Sequence, residues 1–142
     1  MRSRTFSIAG TATLLALVLA VGSAMAQTGV ALKADIPFEF HAGKAALPAG
    51  EYTIGFLTAV NVAAVARTDG GAQAMVLTNG VEGLSAPAES KLMFRKYGDR
   101  YFLAQIWTQG AVRGRDLPVS KAERELTKIA ARHQIISVLA KR

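Results

Sequence analysis

Short apolar segments alternate with turn residues along most of the chain, a pattern typical of a small antiparallel β protein. In residues 30–40, apolar and polar side chains alternate with the period of two that a half-buried strand requires. Pro37 cannot donate a ladder hydrogen bond, so this strand is expected at a sheet edge or with a bulge. Further strands are predicted over residues 52–56, 60–67 and 73–78.

Proline and glycine mark the turns between these strands. Pro48 and Gly50, in the sequence LPAGEY, suit a type I turn. Residues 68–71, TDGG, suit a hairpin turn because glycine accepts a positive φ. Residues 79–89, NGVEGLSAPAE, are rich in turn residues and are predicted to form the longest loop.

The stretch richest in aromatic and basic residues is KLMFRKYGDRYFLAQIWT, residues 91–108. Gly98 and Asp99 predict a two-residue hairpin turn that sets Tyr97 opposite Arg100. A three-residue turn would instead move every partner to the other side of the sheet. Strict alternation then places one set of side chains on the core face: Leu92, Phe94, Lys96, Tyr101, Leu103, Gln105 and Trp107.

Basic and aromatic residues in one stretch could also form a surface on which nucleic-acid bases stack. Such a surface needs several rings together on an exposed face, whereas this hairpin sends most of its rings to the core. The sequence therefore favours a core hairpin with a basic tip, and no nucleic-acid partner is expected.

Near the C-terminus the hydrophobic period changes to that of a helix. Ser120 and Glu123 form a capping box, in which each side chain bonds a free backbone N–H of the first turn. A helix is predicted over residues 121–132, with an apolar face of Ala122, Leu126, Ile129, Ala130 and His133. Residues 135–139 are rich in β-branched side chains and are interpreted as a closing strand, with continuation of the helix as the alternative.

These elements predict a mainly β fold, a small antiparallel barrel or sandwich, with one amphipathic C-terminal helix packed across it.

The N-terminus has the pattern of a secretory signal peptide. Arg2 and Arg4 precede an apolar stretch at residues 8–21, and Ala24 and Ala26 provide the small residues of a cleavage site. The apolar stretch is shorter than the ~20 residues that a membrane-spanning helix needs, although a retained anchor is the alternative. We predict a cleaved signal peptide at residues 1–26 and a single β-rich domain at residues 27–142, exported to the periplasm or the extracellular space.

Composition narrows the chemistry further. The chain contains no cysteine, which excludes a lipid anchor, disulfides and thiol catalysis. Removal of Arg2 and Arg4 lowers the formal net charge from +7 to +5. In an exported protein such a charge indicates solubility or weak attraction to anionic envelope polymers. The expected partner is an envelope protein or an anionic polymer.

The chain carries no hydrolytic or phosphate-binding signature, so an enzyme and a cofactor are not expected. Asp35, Glu39 and His41 share the polar face of the first strand and could hold a metal ion, but a solvated face is favoured. His133 fits a capping or packing role better than that of a general base. The candidate contacts for an anionic partner are Arg95, Tyr97, Arg100, Arg113 and Arg115.

The order of several segments resembles an uncharacterised family of small exported bacterial proteins. Shared features are a PFxF run, an LPAGxY turn, a YGDRYF hairpin and an LPxSxxERE stretch. The resemblance implies export and a small domain, and it implies no activity.

The function expected from the sequence is therefore that of a non-enzymatic binding or structural module. The alternative is a carrier of a small apolar ligand, with Trp107 and Phe56 lining a pocket. An enzyme comes third, and it would need titratable pairs such as Asp116 with His133 or Glu39 with His41 to converge.

Overall fold

The computed structural model describes residues 31–57, 60–130 and 132–142. The predicted signal peptide lies outside the described residues. The elements are β1 (Leu32–Ile36), β2 (Phe40–Ala42), β3 (Ala45–Leu47), β4 (Gly50–Leu57), β5 (Val62–Arg67), β6 (Gln73–Leu77), β7 (Asn79–Glu82), β8 (Ser90–Tyr97), β9 (Arg100–Trp107), β10 (Arg113–Asp116), α1 (Lys121–Ile129) and β11 (Gln134–Lys141).

The strands form one nearly closed, barrel-shaped sheet in the order β3-β2-β9-β8-β11-β1-β4-β5-β6. Strand β10 branches from β9 and also pairs with β7. The pairings are antiparallel except between β2 and β9, which meet in parallel at His41 and Phe102. The prediction of a mainly β fold with a short helix near the C-terminus is confirmed.

The core lies inside the barrel and follows the alternation of the strands. Leu32, Ala34 and Ile36 are buried in turn along β1, while the residues between them are exposed. Phe40 meets Tyr52 and Phe94 edge to face at its centre, at ring distances of 5.1 and 5.5 Å.

The LPAGEY segment is tied to this core by its tyrosine. The Tyr52 hydroxyl donates a hydrogen bond of 2.5 Å to the carbonyl oxygen of Pro48. Because Tyr52 is fully buried, this bond satisfies a phenol that would otherwise be a costly unpaired group. The turn and the start of β4 are thereby fixed to each other.

The first predicted strand is in fact two strands. Strand β1 ends at Ile36 and β2 begins at Phe40, so the prediction of one strand over residues 30–40 is wrong. Pro37 cannot continue the ladder, and the chain leaves β4 there and crosses to β9. Phe38, between the two strands, stacks on Tyr101 at 3.8 Å.

The hairpin of β8 and β9 turns at Gly98 and Asp99 as predicted, with Tyr97 opposite Arg100. From Ala104 onward, the residues of β9 that face the core differ from those predicted. Ala104 is an extra residue opposite the step from Met93 to Phe94, which makes a β-bulge. A bulge inverts the alternation that follows it, so Ile106 enters the core.

Trp107 and Gln105 consequently lie on the outer side of the barrel wall, which corrects their predicted core positions. There the indole nitrogen of Trp107 donates a hydrogen bond of 3.0 Å to the side-chain oxygen of Gln105. Trp107 is nevertheless buried, because Gly83 and Gly114 bring the backbone close to its ring.

The segment predicted to be the longest loop contains a strand. Residues Asn79–Glu82 form β7 and pair with Arg113–Asp116 of β10, so the interpretation of residues 79–89 as loop is wrong for its first four residues. Most side chains of β7 are exposed, and it lacks the apolar alternation by which strands are recognised. Its pairing depends on β10, a partner distant in sequence.

The helix differs from its prediction in length and in the face that it buries. It ends at Ile129 rather than residue 132, since Ala130 is extended. The Ser120 hydroxyl oxygen accepts a hydrogen bond of 3.2 Å from the Glu123 N–H, which is one half of the predicted capping box; the Glu123 carboxylate bonds to Arg95 and Tyr97 instead of the cap. Ile129, however, is 86% exposed, and Glu123 is the buried residue of the helix.

Strand β11 resolves the ambiguity in residues 135–139 in favour of the strand. It lies between β8 and β1 and pairs with both. Ile136 and Val138 pack against the core from it.

Candidate functional site

The barrel closes incompletely between β6 and the turn that joins β2 to β3. Strand β6 pairs with β5 on one side, and within the described residues no strand pairs with its other edge. Cα atoms of β2 and β6 come within 8 Å of each other across this seam. A Cβ on Gly43 would lie 2.8 Å from Cγ1 of Val76, so a glycine is needed for the turn to reach β6.

The backbone groups of β6 that face the seam follow from the register with β5. The Arg67 N–H bonds to the Ala72 carbonyl at 2.8 Å, and the Thr78 N–H bonds to the Asn61 carbonyl at 2.7 Å. Hydrogen-bonded pairs alternate along an antiparallel ladder. The N–H and C=O groups of Gln73, Met75 and Leu77 therefore point away from β5, into the seam.

An open groove of about 640 Å³ lies over this opening, and we call it the seam groove. It is lined by residues 42–45 of the β2–β3 turn, residues 74–77 of β6, and residues 117–121 with Arg124 at the start of α1. The three sides thus come from three separate parts of the chain.

Apolar side chains that are usually buried stand exposed around the seam groove. Met75 is 66% exposed, Leu77 68% and Val119 42%. Below them, Val76 and Leu117 are buried and form the floor. The groove therefore offers an apolar surface that the described residues leave uncovered.

The rim of the groove is cationic. Lys44, Lys121 and Arg124 line it, and none of the described lining residues is acidic. Among the described residues, the ion pairs involve other cations. Lys121 and Arg124 lie on one side of the first turn of α1, where the helix dipole adds a partial positive charge.

The β-bulge helps to position the third side of the groove. The carbonyl oxygen of the bulged Ala104 accepts a hydrogen bond of 2.8 Å from the N–H of Leu117. Leu117 is buried, and it begins the segment that leads into α1. The chain is thus fixed to the barrel just before it forms the groove wall.

Glu123 fixes the same wall from the helix side. Its carboxylate accepts hydrogen bonds from Nε and Nη2 of Arg95, the latter at 3.2 Å, and from the Tyr97 hydroxyl at 3.0 Å. Burial raises the pKa of the Tyr97 hydroxyl, and the hydrogen bond to Glu123 raises it further. Burial is the largest single effect on Arg95 and opposes its charge, but the hydrogen bond to Glu123 and the charges of Glu123, Tyr97 and Asp116 together raise the pKa of the guanidinium.

The contact of Glu123 with Arg95 and Tyr97, which anchors α1 to β8, was not predicted from the sequence. An acidic residue three positions after a helix cap is expected to bond back to the cap, and a buried ion pair with β8 leaves no periodic signal. The outer-face positions of Arg95 and Tyr97 on the hairpin were predicted, but their partner on α1 was not.

The predicted contacts for an anionic partner do not converge in one place. Arg95 and Tyr97 are bound to Glu123, while Arg100 is exposed at the hairpin tip. On β10, Arg113 pairs with Glu82 at 3.2 Å, and Arg115 donates a hydrogen bond of 3.0 Å to Asn61. Contact of these residues with an anionic partner stays a prediction.

His41 lies against the ring of Phe102 at 4.8 Å, on the outer side of the wall. Its Nδ1 is buried without a hydrogen-bond partner in the described structure. Burial lowers the pKa of this imidazole, and Arg100 lowers it further, while Glu39 and Glu123 oppose the shift. Within the described residues, no three His, Asp or Glu side chains cluster in a way that could hold a metal ion.

The remaining candidates lie apart from the seam groove. Trp107 and Phe56, predicted to line a pocket, do not line it. His133 lies 5.4 Å from the ring of Tyr97, and the Asp116 carboxylate accepts a hydrogen bond of 3.3 Å from Gln105.

Comparison with known proteins gave no relative: no family model, curated protein or solved structure matches the chain. In the part of the chain that the structure describes, no helix combines the length and the apolar character needed to cross a membrane.

Proposed function

We propose that the protein is an exported, non-enzymatic binding module of the cell envelope or the extracellular space, and that the seam groove holds its partner. The signal-peptide pattern of residues 1–26 supports export, and the lack of a hydrolytic or phosphate-binding signature supports a role without catalysis.

One observation carries the proposal: among the described residues, the outer edge of β6 has no pairing strand. Proteins protect the edge strands of their sheets with charges, prolines, bulges or covering segments. Strand β6, QAMVL, has no charge and no proline, and it exposes Met75 and Leu77 beside the seam groove. An exposed apolar edge of this kind marks a surface that another molecule covers.

The first prediction tests the groove with neutral substitutions. The double variant Met75→Gln and Leu77→Gln removes apolar surface without changing the charge, and we expect it to retain at least tenfold less of the bound material than the wild type does. The measurement is retention of envelope proteins, polymers and lipids by the immobilised protein, followed by mass spectrometry.

The matched control is the double variant Leu84→Gln and Ile129→Gln. Both of these residues are exposed, and neither of them lines the groove. Equal retention by the groove variant and this control would overturn the assignment of the groove as the binding site. Circular dichroism and thermal unfolding confirm that each variant is folded.

A further inference from the structure

We propose that the occupant of the seam groove is a long-chain fatty carboxylate, with its alkyl chain along β6 and its carboxylate among Lys44, Lys121 and Arg124. This inference rests on the proposed binding function and names the ligand class for the same groove.

The size and lining of the groove fit an alkyl chain. Its volume of about 640 Å³ lies within the range of about 300–1,000 Å³ that is usual for small-molecule sites. Apart from Gly43, Ser120 and the three cations, its lining side chains are apolar. Each methylene that leaves water for such a surface tightens binding about fourfold.

The charges select the head group. Lys44 lies on the β2–β3 turn and Lys121 and Arg124 lie at the N-terminal end of α1, so cations line two sides of the groove, and no acidic residue among the described lining residues opposes them. Arg124 can hold a carboxylate with two parallel N–H donors, and Lys44 and Lys121 add charge. A cationic or neutral head group would leave these charges without a partner.

The width of the seam argues against an added β-strand. A strand between β6 and β2 would need a separation of two strand spacings, roughly 9.6 Å, between its neighbours. Cα atoms of β2 and β6 approach within 8 Å, and the Gly43 turn touches Val76. An alkyl chain needs no backbone pairing: it can lie over the exposed side chains of Met75 and Leu77 in van der Waals contact at about 4 Å and leave the edge N–H and C=O groups to water.

The charges also argue against a second copy of the chain as the occupant. Pairing of two β6 edges about a two-fold axis would bring two sets of Lys44, Lys121 and Arg124 towards each other. After removal of the predicted signal peptide the net charge is +5, which adds to the repulsion. A carboxylate ligand instead neutralises part of the rim.

The second prediction is tested by isothermal titration calorimetry of the purified protein with dodecanoate below its micelle concentration. We expect saturable binding of one molecule, and about fifteenfold weaker binding of decanoate because two methylenes are missing. Dodecyltrimethylammonium, with the same chain and the opposite charge, should bind at least tenfold more weakly. Equal binding of the two head groups, or no binding of dodecanoate, would overturn the proposal.

Two further ligands separate the sources of an anionic group. A lysophosphatidylglycerol with a twelve-carbon chain, or an acidic alternating octapeptide, that binds at least tenfold more tightly than dodecanoate would overturn the choice of a fatty carboxylate. Sedimentation equilibrium that shows dimers lost in the Met75→Gln and Leu77→Gln variant would identify a second copy instead.

Variants on α1 connect the binding to the rim. Arg124→Gln should weaken dodecanoate binding about tenfold, because a charge-assisted hydrogen bond is lost. Lys128→Gln on the same helix, which pairs with Glu125 and does not line the groove, should leave binding unchanged. Equal effects of the two substitutions would show that the carboxylate binds elsewhere.

The two proposals fail in different ways. If dodecanoate does not bind, while retention from envelope extract still depends on Met75 and Leu77, the ligand class is wrong and the binding function stands. If neither dodecanoate binding nor retention from envelope extract depends on Met75 and Leu77, the seam groove is not the site.

Discussion

Glu123 determines where the helix sits on the barrel. It is 1% exposed, whereas Leu126 is only partly buried and the remaining residues of α1 are exposed. Its partners Arg95 and Tyr97 belong to the outer face of β8, so one carboxylate joins the helix to the hairpin. The apolar stripe predicted for this helix contributes less, since Ile129 is largely exposed.

The third prediction follows from this anchor. Glu123→Ala leaves the Arg95 charge buried without a partner, and we expect a loss of about 3 kcal/mol in the free energy of unfolding. Tyr97→Phe removes one hydrogen bond and should cost about 1 kcal/mol. Both values are measured by urea denaturation followed by circular dichroism.

Glu125→Ala is the control for this experiment. Glu125 pairs with Lys128 on the exposed side of the same helix, at 3.2 Å, and an exposed pair contributes less than about 0.5 kcal/mol. If Glu123→Ala destabilised the protein no more than Glu125→Ala, the anchoring role of Glu123 would be refuted.

At the scale of elements, the β-bulge at Ala104 determines how β7 and β10 pack on the outside of the barrel. It turns Trp107 outward, and the indole then lies against the glycines of β10 and of the loop after β7. Strands β7 and β10 therefore pack on an aromatic ring outside the barrel. This small satellite of the core exists because one extra residue was inserted into β9.

The fourth prediction tests that packing with two glycines. A Cβ on Gly114 would lie 2.7 Å from Cε3 of Trp107, so Gly114→Ala should lower the free energy of unfolding by about 1–3 kcal/mol through overpacking. Gly80, on the paired strand β7, has nothing within 4 Å of its Cβ position, and Gly80→Ala should change stability little. Chemical denaturation followed by Trp107 fluorescence measures both; similar losses would contradict this account of the satellite.

The sequence predicts those elements whose signals are local. The Gly98–Asp99 turn and β11 carry their patterns within a few residues, and both are confirmed. The bulge and β7 were missed because each depends on a partner elsewhere in the chain. An extra Ala104 is not distinguishable in sequence from a regular strand residue, and β7 has no apolar face to reveal it.

The candidate site was missed for the same reason at a larger scale. Lys44, Met75 and Arg124 lie in three segments that the chain brings together only when the barrel curves round on itself. Arg95 and Tyr97 were predicted to contact an anionic partner because they belong to a stretch of basic and aromatic residues. In the structure, they hold the wall of the site from behind, through Glu123.

At the scale of the whole molecule, the described strands form a ring whose hydrogen-bonded ladders are interrupted between β6 and the β2–β3 turn. Around most of the circumference each strand has a neighbour on both sides. At the seam, the Val76 side chain of β6 lies against the backbone of Gly43 in the β2–β3 turn. In the described sheet, no ladder of hydrogen bonds joins the two ends of the ring at this point.

The fifth prediction concerns the amides at the seam. The N–H groups of Met75 and Leu77 point away from β5, whereas those of Ala74 and Val76 bond to it. We expect the first pair to exchange with solvent deuterium at least tenfold faster than the second, as measured by NMR. Uniform protection along β6 would show that its edge is covered.

Strand β11 has a consequence for the order in which the protein folds. It lies between β8 and β1, and it is the last strand of the described chain to be synthesised. Until it arrives, the two edges that it joins have no partner, and the barrel wall stays divided into two sheets. Closing the wall spans almost the whole chain, and such distant contacts form slowly. We therefore expect the barrel wall to be completed only after β11 has been added.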